Sequence, residues 1–136
     1  MYMKIKVLIL LLASLLLSAT GYIFTNSIQF NLCGQNQYSC RDLYNNIGDP
    51  LLLGMLAIAI IFLTLLFLPK AWTAWRKFAI WYVPLATLLF IFYPEPGSGD
   101  LLSPYPETVL KWVSGIYVAI SLVIIAKATL KNKKES

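Results

Sequence analysis

The chain alternates between long apolar stretches and short segments that gather charges and turn formers. Four apolar stretches stand out, at residues 7–25, 51–68, 78–93 and 108–126, with lengths of 19, 18, 16 and 19 residues. A helix rises about 1.5 Å per residue, so 18 residues span roughly 27 Å, close to the apolar thickness of a bilayer. In lipid every backbone N–H and C=O must be paired within the protein, which only helices and closed barrels achieve. Barrel strands alternate polar and apolar residues, and these stretches do not. The pattern predicts an all-α membrane protein, with four transmembrane helices in an antiparallel bundle. One membrane domain covers residues 1–136, and loops at 26–50, 69–77 and 94–107 connect the helices.

The punctuation refines these limits. Asp49-Pro50 reads as an N-cap followed by proline at the first helical position, so the second helix is expected to start there. Pro69 disfavours a helical Leu68 and ends that helix. Pro94, Pro96, Gly97 and Gly99 stop the third helix, and Pro104 and Pro106 precede the fourth. Pro84 lies inside the third stretch and has no N–H for the Ile80 carbonyl, which predicts a kink tolerated within a packed bundle.

Charge sets the expected orientation. Lys4, Lys6, Lys70, Arg76, Lys77, Lys127, Lys131, Lys133 and Lys134 fall on one side, leaving Arg41 and Lys111 for the other. The positive-inside rule then places both termini and the 69–77 loop in the cytoplasm, with the 26–50 and 94–107 loops outside. The first stretch also resembles a signal peptide, with a basic start, an apolar centre and small residues at Ala19-Thr20-Gly21. Its apolar character continues through Tyr22, Ile23 and Phe24, which favours an uncleaved helix.

Composition narrows the function classes. Hydrophobic residues make up 59% of the chain and charged residues 12%, against about 25% charged in a soluble domain. A disordered chain is excluded by the same values. The cations flank apolar stretches instead of forming one stripe, so no nucleic-acid partner is expected. There is no histidine, which removes His-based acid–base chemistry and His metal ligands. The four stretches contain no Asp, Glu, Arg, Asn or Gln, and their only ionisable lysine is Lys111, near one end with Glu107 at i−4. A proton or ion pathway usually marks itself with ionisable groups at mid-depth. Ser14, Ser18, Thr64, Thr87, Ser114, Tyr117 and Ser121 remain as hydroxyls, a group commonly satisfied by its own helix. No nucleophile–base set, glycine-rich phosphate loop or metal-ligand spacing is present, and Asp42, Asp49, Glu95, Asp100 and Glu107 read as capping or solvated carboxylates. No catalytic residue, cofactor or metal is therefore expected.

Cys33 and Cys40 are the only cysteines, and both lie in the 26–50 loop. In an oxidising compartment they are expected to form a disulfide whose small closed loop contributes roughly 2.5 kcal/mol. Redox centres usually use C-x-x-C, whereas six residues separate this pair and no second pair can pass electrons on. The four-span plan with both ends inside is similar to that of membrane thiol oxidases, but the two cysteine pairs that family needs are missing.

Trp72, Trp75, Trp81 and Trp112 lie near stretch ends, where indole rings rest at headgroup level, and Arg76 and Lys77 are expected to anchor beside them. Trp72, Trp75, Ala79 and Tyr82 form a helical stripe, read as an interfacial turn. Lys70, Arg76 and Lys77 are also candidates for anionic lipid, with plain topology anchoring the simpler use. Helix packing is assigned to Ser14 with Ser18, to Gly115 with Ala119, and around Pro84. Such small-residue faces pack within the chain or receive a partner or second copy.

The Cys33…Cys40 loop, Asp49-Pro50, the helix ending Leu68-Pro69, and Trp75-Arg76-Lys77-Phe78…Trp81…Pro84 together resemble short four-span bacterial membrane proteins of unknown function. The resemblance covers most of the chain and implies a bacterial inner (plasma) membrane, with no activity attached. The sequence thus predicts a small non-catalytic accessory, scaffold or immunity-like subunit working through helix faces and its outer loop. Its partners would be the lipid bilayer and a membrane protein or a second copy. The alternatives are a small channel or facilitator for neutral solutes and a thiol–disulfide redox partner using Cys33 and Cys40.

Overall fold

A computed structural model describes residues 1–92 and 106–135. It contains α1 (Tyr2–Thr25), α2 (Tyr38–Phe67), a 3-10 turn (Pro69–Ala71), α3 (Trp72–Phe92) and α4 (Pro106–Glu135). No strand occurs among the described residues. Among the described residues, four helical segments are long and apolar enough to cross a membrane.

The largest departure from expectation is the start of α2. It begins at Tyr38, so Asp49-Pro50 is not a helix start and Pro50 sits inside the helix. The loop shrinks from 26–50 to residues 26–37. Proline costs one backbone bond in a helix, but neighbouring helices can compensate in a membrane bundle. Here the early part of α2 is fastened on its own account. The Tyr44 ring meets Phe24 of α1 edge-on at 5.2 Å. Cys40, the third residue of α2, has its Sγ 2.00 Å from that of Cys33, disulfide distance. The short loop is internally bonded, with Leu32 N–H donating to the Ser27 carbonyl at 2.8 Å and Asn31 taking a left-handed φ of 56°. Asparagine is among the residues that tolerate that region.

The other limits shift outward. Leu68 leaves the helix with φ −121°, as the following proline demands, and the connection to α3 is a single 3-10 turn instead of the 69–77 loop. Residues 72–77 are helical, and α4 runs on past Ala126 to Glu135. Its lysine-rich tail holds no helix breaker, and Lys133 and Lys134 sit at the negative pole of the helix. Pro84 stays within α3 and faces outward, so it does not pack against another helix as expected. The expected turn at Pro94, Pro96, Gly97, Gly99 and Pro104, and the Glu107–Lys111 pair, lie outside the described residues and side chains.

The helices are held by two different contacts. α1 packs along α2 through Val7, Ser14, Ser18 and Gly21, whose spacing keeps one narrow stripe toward the partner. Ser18 donates across the seam to the Leu52 carbonyl at 3.2 Å. The backbones nearly touch at Gly21 and Gly48. A Cβ on Gly21 would lie 2.5 Å from Leu52 N, and one on Gly48 would lie 2.9 Å from the Phe24 Cβ. Only glycine permits that approach, and close van der Waals packing of this kind is what joins helices where apolar surroundings offer little hydrophobic drive. On its other side α2 meets α4, which also packs against α3 and the 3-10 turn. Ile61, Leu65, Ala71, Trp75, Tyr117 and Ile125 fill that junction.

These contacts predict opposite effects for two glycines. Gly21→Ala should separate α1 from α2 and cost about 1–3 kcal/mol. Gly54→Ala, with nothing within 4 Å of the new methyl, should be neutral or stabilise by up to about 1 kcal/mol. Unfolding in mixed mild and denaturing detergent micelles would measure both.

Candidate functional site

Where α2, α3 and α4 converge, aromatic rings form a continuous layer. Phe62 of α2 contacts Trp72 and Trp75 of α3, at 6.4 and 5.5 Å between ring centroids. One turn further along α3, Phe78 and Tyr82 both meet Tyr117 of α4, at 6.1 and 5.4 Å. Two polar bonds tie α3 to α4 within this layer. The buried Trp75 Nε1–H donates to Ser121 Oγ at 3.2 Å, and the Tyr82 hydroxyl donates to the Val113 carbonyl at 2.8 Å. In an apolar surround such bonds fix register, because an unpaired donor is costly. The Tyr117 hydroxyl lies beside Trp75 and Ser121 and is buried without a hydrogen bond of good geometry.

Beyond this layer, toward the Cys33–Cys40 loop, α2, α3 and α4 border a groove of about 400 Å³. Gly54 and Ala57 line it from α2, Val83 and Ala86 from α3, and Ser114 and Tyr117 from α4. Tyr82 and Tyr117 line it where it meets the aromatic layer, and Phe62, Trp75 and Phe78 lie outside its lining. Its wall is mostly aliphatic, and its hydroxyls are partly spoken for: Thr87 donates to the Val83 carbonyl at 2.8 Å and Tyr82 to Val113. Small side chains contribute to the space, since nothing lies within 4 Å of a Cβ on Gly54.

The residues singled out in the sequence separate into several places. Ser14 and Ser18 are buried in the α1–α2 seam, where Ser14 donates to its own helix at Leu11 O, 2.8 Å away. Gly115 and Ala119 are exposed, and among the described residues nothing lies within 4 Å of a Cβ on Gly115, so no packing of this pair is seen there. Trp81 and Trp112 are exposed, at 82% and 68%. Trp75 is not an interfacial anchor, because at 5% exposure it is part of the core and its N–H is paired with Ser121. Trp72 is half-buried against Phe62. The stripe Trp72, Trp75, Ala79, Tyr82 is thus a helix face, but it points toward α2 and α4. Arg76 and Lys77 are exposed. Cys33 lies in the short loop and Cys40 in the first turn of α2, far along the chain from the aromatic layer. No metal-holding group of His, Cys, Asp or Glu occurs among the described residues.

Sequence reasoning missed the groove and the Trp75–Ser121 bond. Ser121 and Tyr117 were visible as span hydroxyls four residues apart on one helix face, but their partner on α3 was assigned to the interface. No protein-family model, curated protein or solved structure matches this chain.

The Trp75–Ser121 bond should be measurable. Ser121→Ala leaves a buried indole N–H unpaired and should cost about 1–2 kcal/mol. A cycle with Trp75→Phe should return a coupling of about 1 kcal/mol in detergent unfolding. A coupling near zero would mean that the pair adds nothing beyond packing.

Proposed function

We propose that the protein is a non-catalytic integral membrane subunit of accessory or scaffold type, which receives an apolar segment of a partner membrane protein in the groove between α2, α3 and α4. In this reading the helices form an antiparallel bundle in a bacterial plasma membrane, with both termini cytoplasmic and the Cys33–Cys40 loop outside. The contacts Phe24–Tyr44, Gly21–Gly48 and Ser18–Leu52 support opposite directions for α1 and α2. Nine of the eleven cations would then face the cytoplasm.

The groove carries the proposal. It lies along the predicted spans, its walls are mostly aliphatic, and the ring pair Tyr82–Tyr117 lines it on the side of the aromatic layer. A solute passage would have to continue through Tyr82, Tyr117, Phe62 and Trp75, which are packed against one another. A redox role would need a second thiol pair, and the chain has two cysteines in all. A shallow apolar recess beside the exposed Gly115–Ala119 face instead suits helix association, where small residues allow close approach.

A photoreactive residue placed at Gly54 or Ala86 in cell membranes tests this reading. It should yield one discrete protein adduct, and Ala86→Trp, which fills the groove, should abolish the adduct formed from position 54. Adducts to lipid alone at both positions would contradict the proposal.

A further inference from the structure

At the opposite end of α3 and α4 from the groove, a second recess of about 450 Å³ gathers four lysines from three helical elements. Lys70 lies in the 3-10 turn, Lys77 in the early part of α3, and Lys127 and Lys131 one turn apart on α4. All four are exposed, and none forms a salt bridge among the described residues. Thr73 and Asn132 add polar side chains, while the floor is apolar. Arg76, which the sequence grouped with Lys70 and Lys77, does not line this recess.

Four cations brought together without a carboxylate repel one another, and like charges at i and i+4 destabilise a helix. Nevertheless α4 remains helical through both lysines. An anion in the recess would relieve that repulsion, and the chemistry of the recess specifies which kind. Its charge suits a phosphate, which lysine binds as a point charge. Its apolar floor suits the glycerol and first methylenes of a lipid, as does its place at the end of two candidate spans, one residue along from Trp72. Basic recesses between transmembrane helices on the cytoplasmic side hold anionic headgroups in this way.

We propose that Lys70, Lys77, Lys127 and Lys131 form a binding site for the phosphate headgroup of an anionic phospholipid in the cytoplasmic leaflet. The site stands on the membrane placement of the helices but is independent of what occupies the groove. It would fix the α3 start against the α4 tail and give the protein a preference for its lipid surroundings.

The full chain in phosphatidylcholine nanodiscs containing a minor fraction of phosphatidylglycerol provides the test, with lipids retained after release counted by native mass spectrometry. The unaltered protein should retain phosphatidylglycerol selectively. Each lysine removed should weaken retention roughly fivefold, so Lys70→Gln with Lys127→Gln should lower it more than tenfold. Lys4→Gln with Lys6→Gln removes the same charge elsewhere and should change retention less than twofold. Lys70→Arg with Lys127→Arg keeps the charge and should keep retention, which controls for a folding defect in the glutamine variant. Equal losses in the two glutamine variants, loss in the arginine variant, or no selectivity in the unaltered protein would overturn the site. Displacement of the lipid by inorganic phosphate at constant ionic strength would reassign it to a soluble anion and overturn the lipid assignment.

Discussion

A backbone amide that enters hydrocarbon must find its partner inside the protein, and on the proposed membrane placement this constraint governs the four long apolar helices. With no water to accept a stray hydrogen bond, the economical solution is a helix that pairs every group with its own neighbours. The constraint outranks local signals. Pro50 and Pro84 each delete one such bond, yet both sit inside helices. An isolated soluble peptide would break at these points. Here α1 holds the early part of α2, with a ring contact at Tyr44 and a near-touching backbone at Gly48, so the helix persists through its proline.

Once the backbone is satisfied, the helices still need a reason to stay together, and burial of apolar surface supplies little of it in lipid. Two devices replace it. On one side of α2, small residues let α1 approach until glycine is the only side chain that fits. On the other, rings and buried hydrogen bonds join α3 to α4, with Trp75 and Ser121 at the centre. The two devices leave different surfaces behind. The first buries Ser14, Ser18 and Gly21 in a close seam. The second borders the groove, whose lining includes Tyr82 and Tyr117.

The apolar stretches were legible because length and hydropathy alone report a helix that can span lipid. Cys33 and Cys40 were legible because a pair that close in one short loop has few alternatives. The start of α2 was not, since Asp49-Pro50 carries the same signature whether a proline opens a helix or is tolerated within one. Only the contact with α1 decides between them. Trp75 was misread for a related reason: an indole near a span end suits an interface and a core equally, and the partner that selects the core lies 46 positions away at Ser121. The tail lysines read only as cytoplasmic cations beyond a span ending at 126, whereas α4 carries Lys127 and Lys131, still helical, to the side of Lys70 and Lys77. In each case a single chain segment holds both options, and tertiary contact chooses.

The account stands or falls on the number and direction of the crossings. Topology reporters fused after Gln35, after Lys77 and after Ser136 report the side of the membrane reached at each point. The account predicts the Gln35 fusion outside and the other two together in the cytoplasm. A Gln35 fusion on the same side as the Ser136 fusion, or a Lys77 fusion on the opposite side from it, would contradict it.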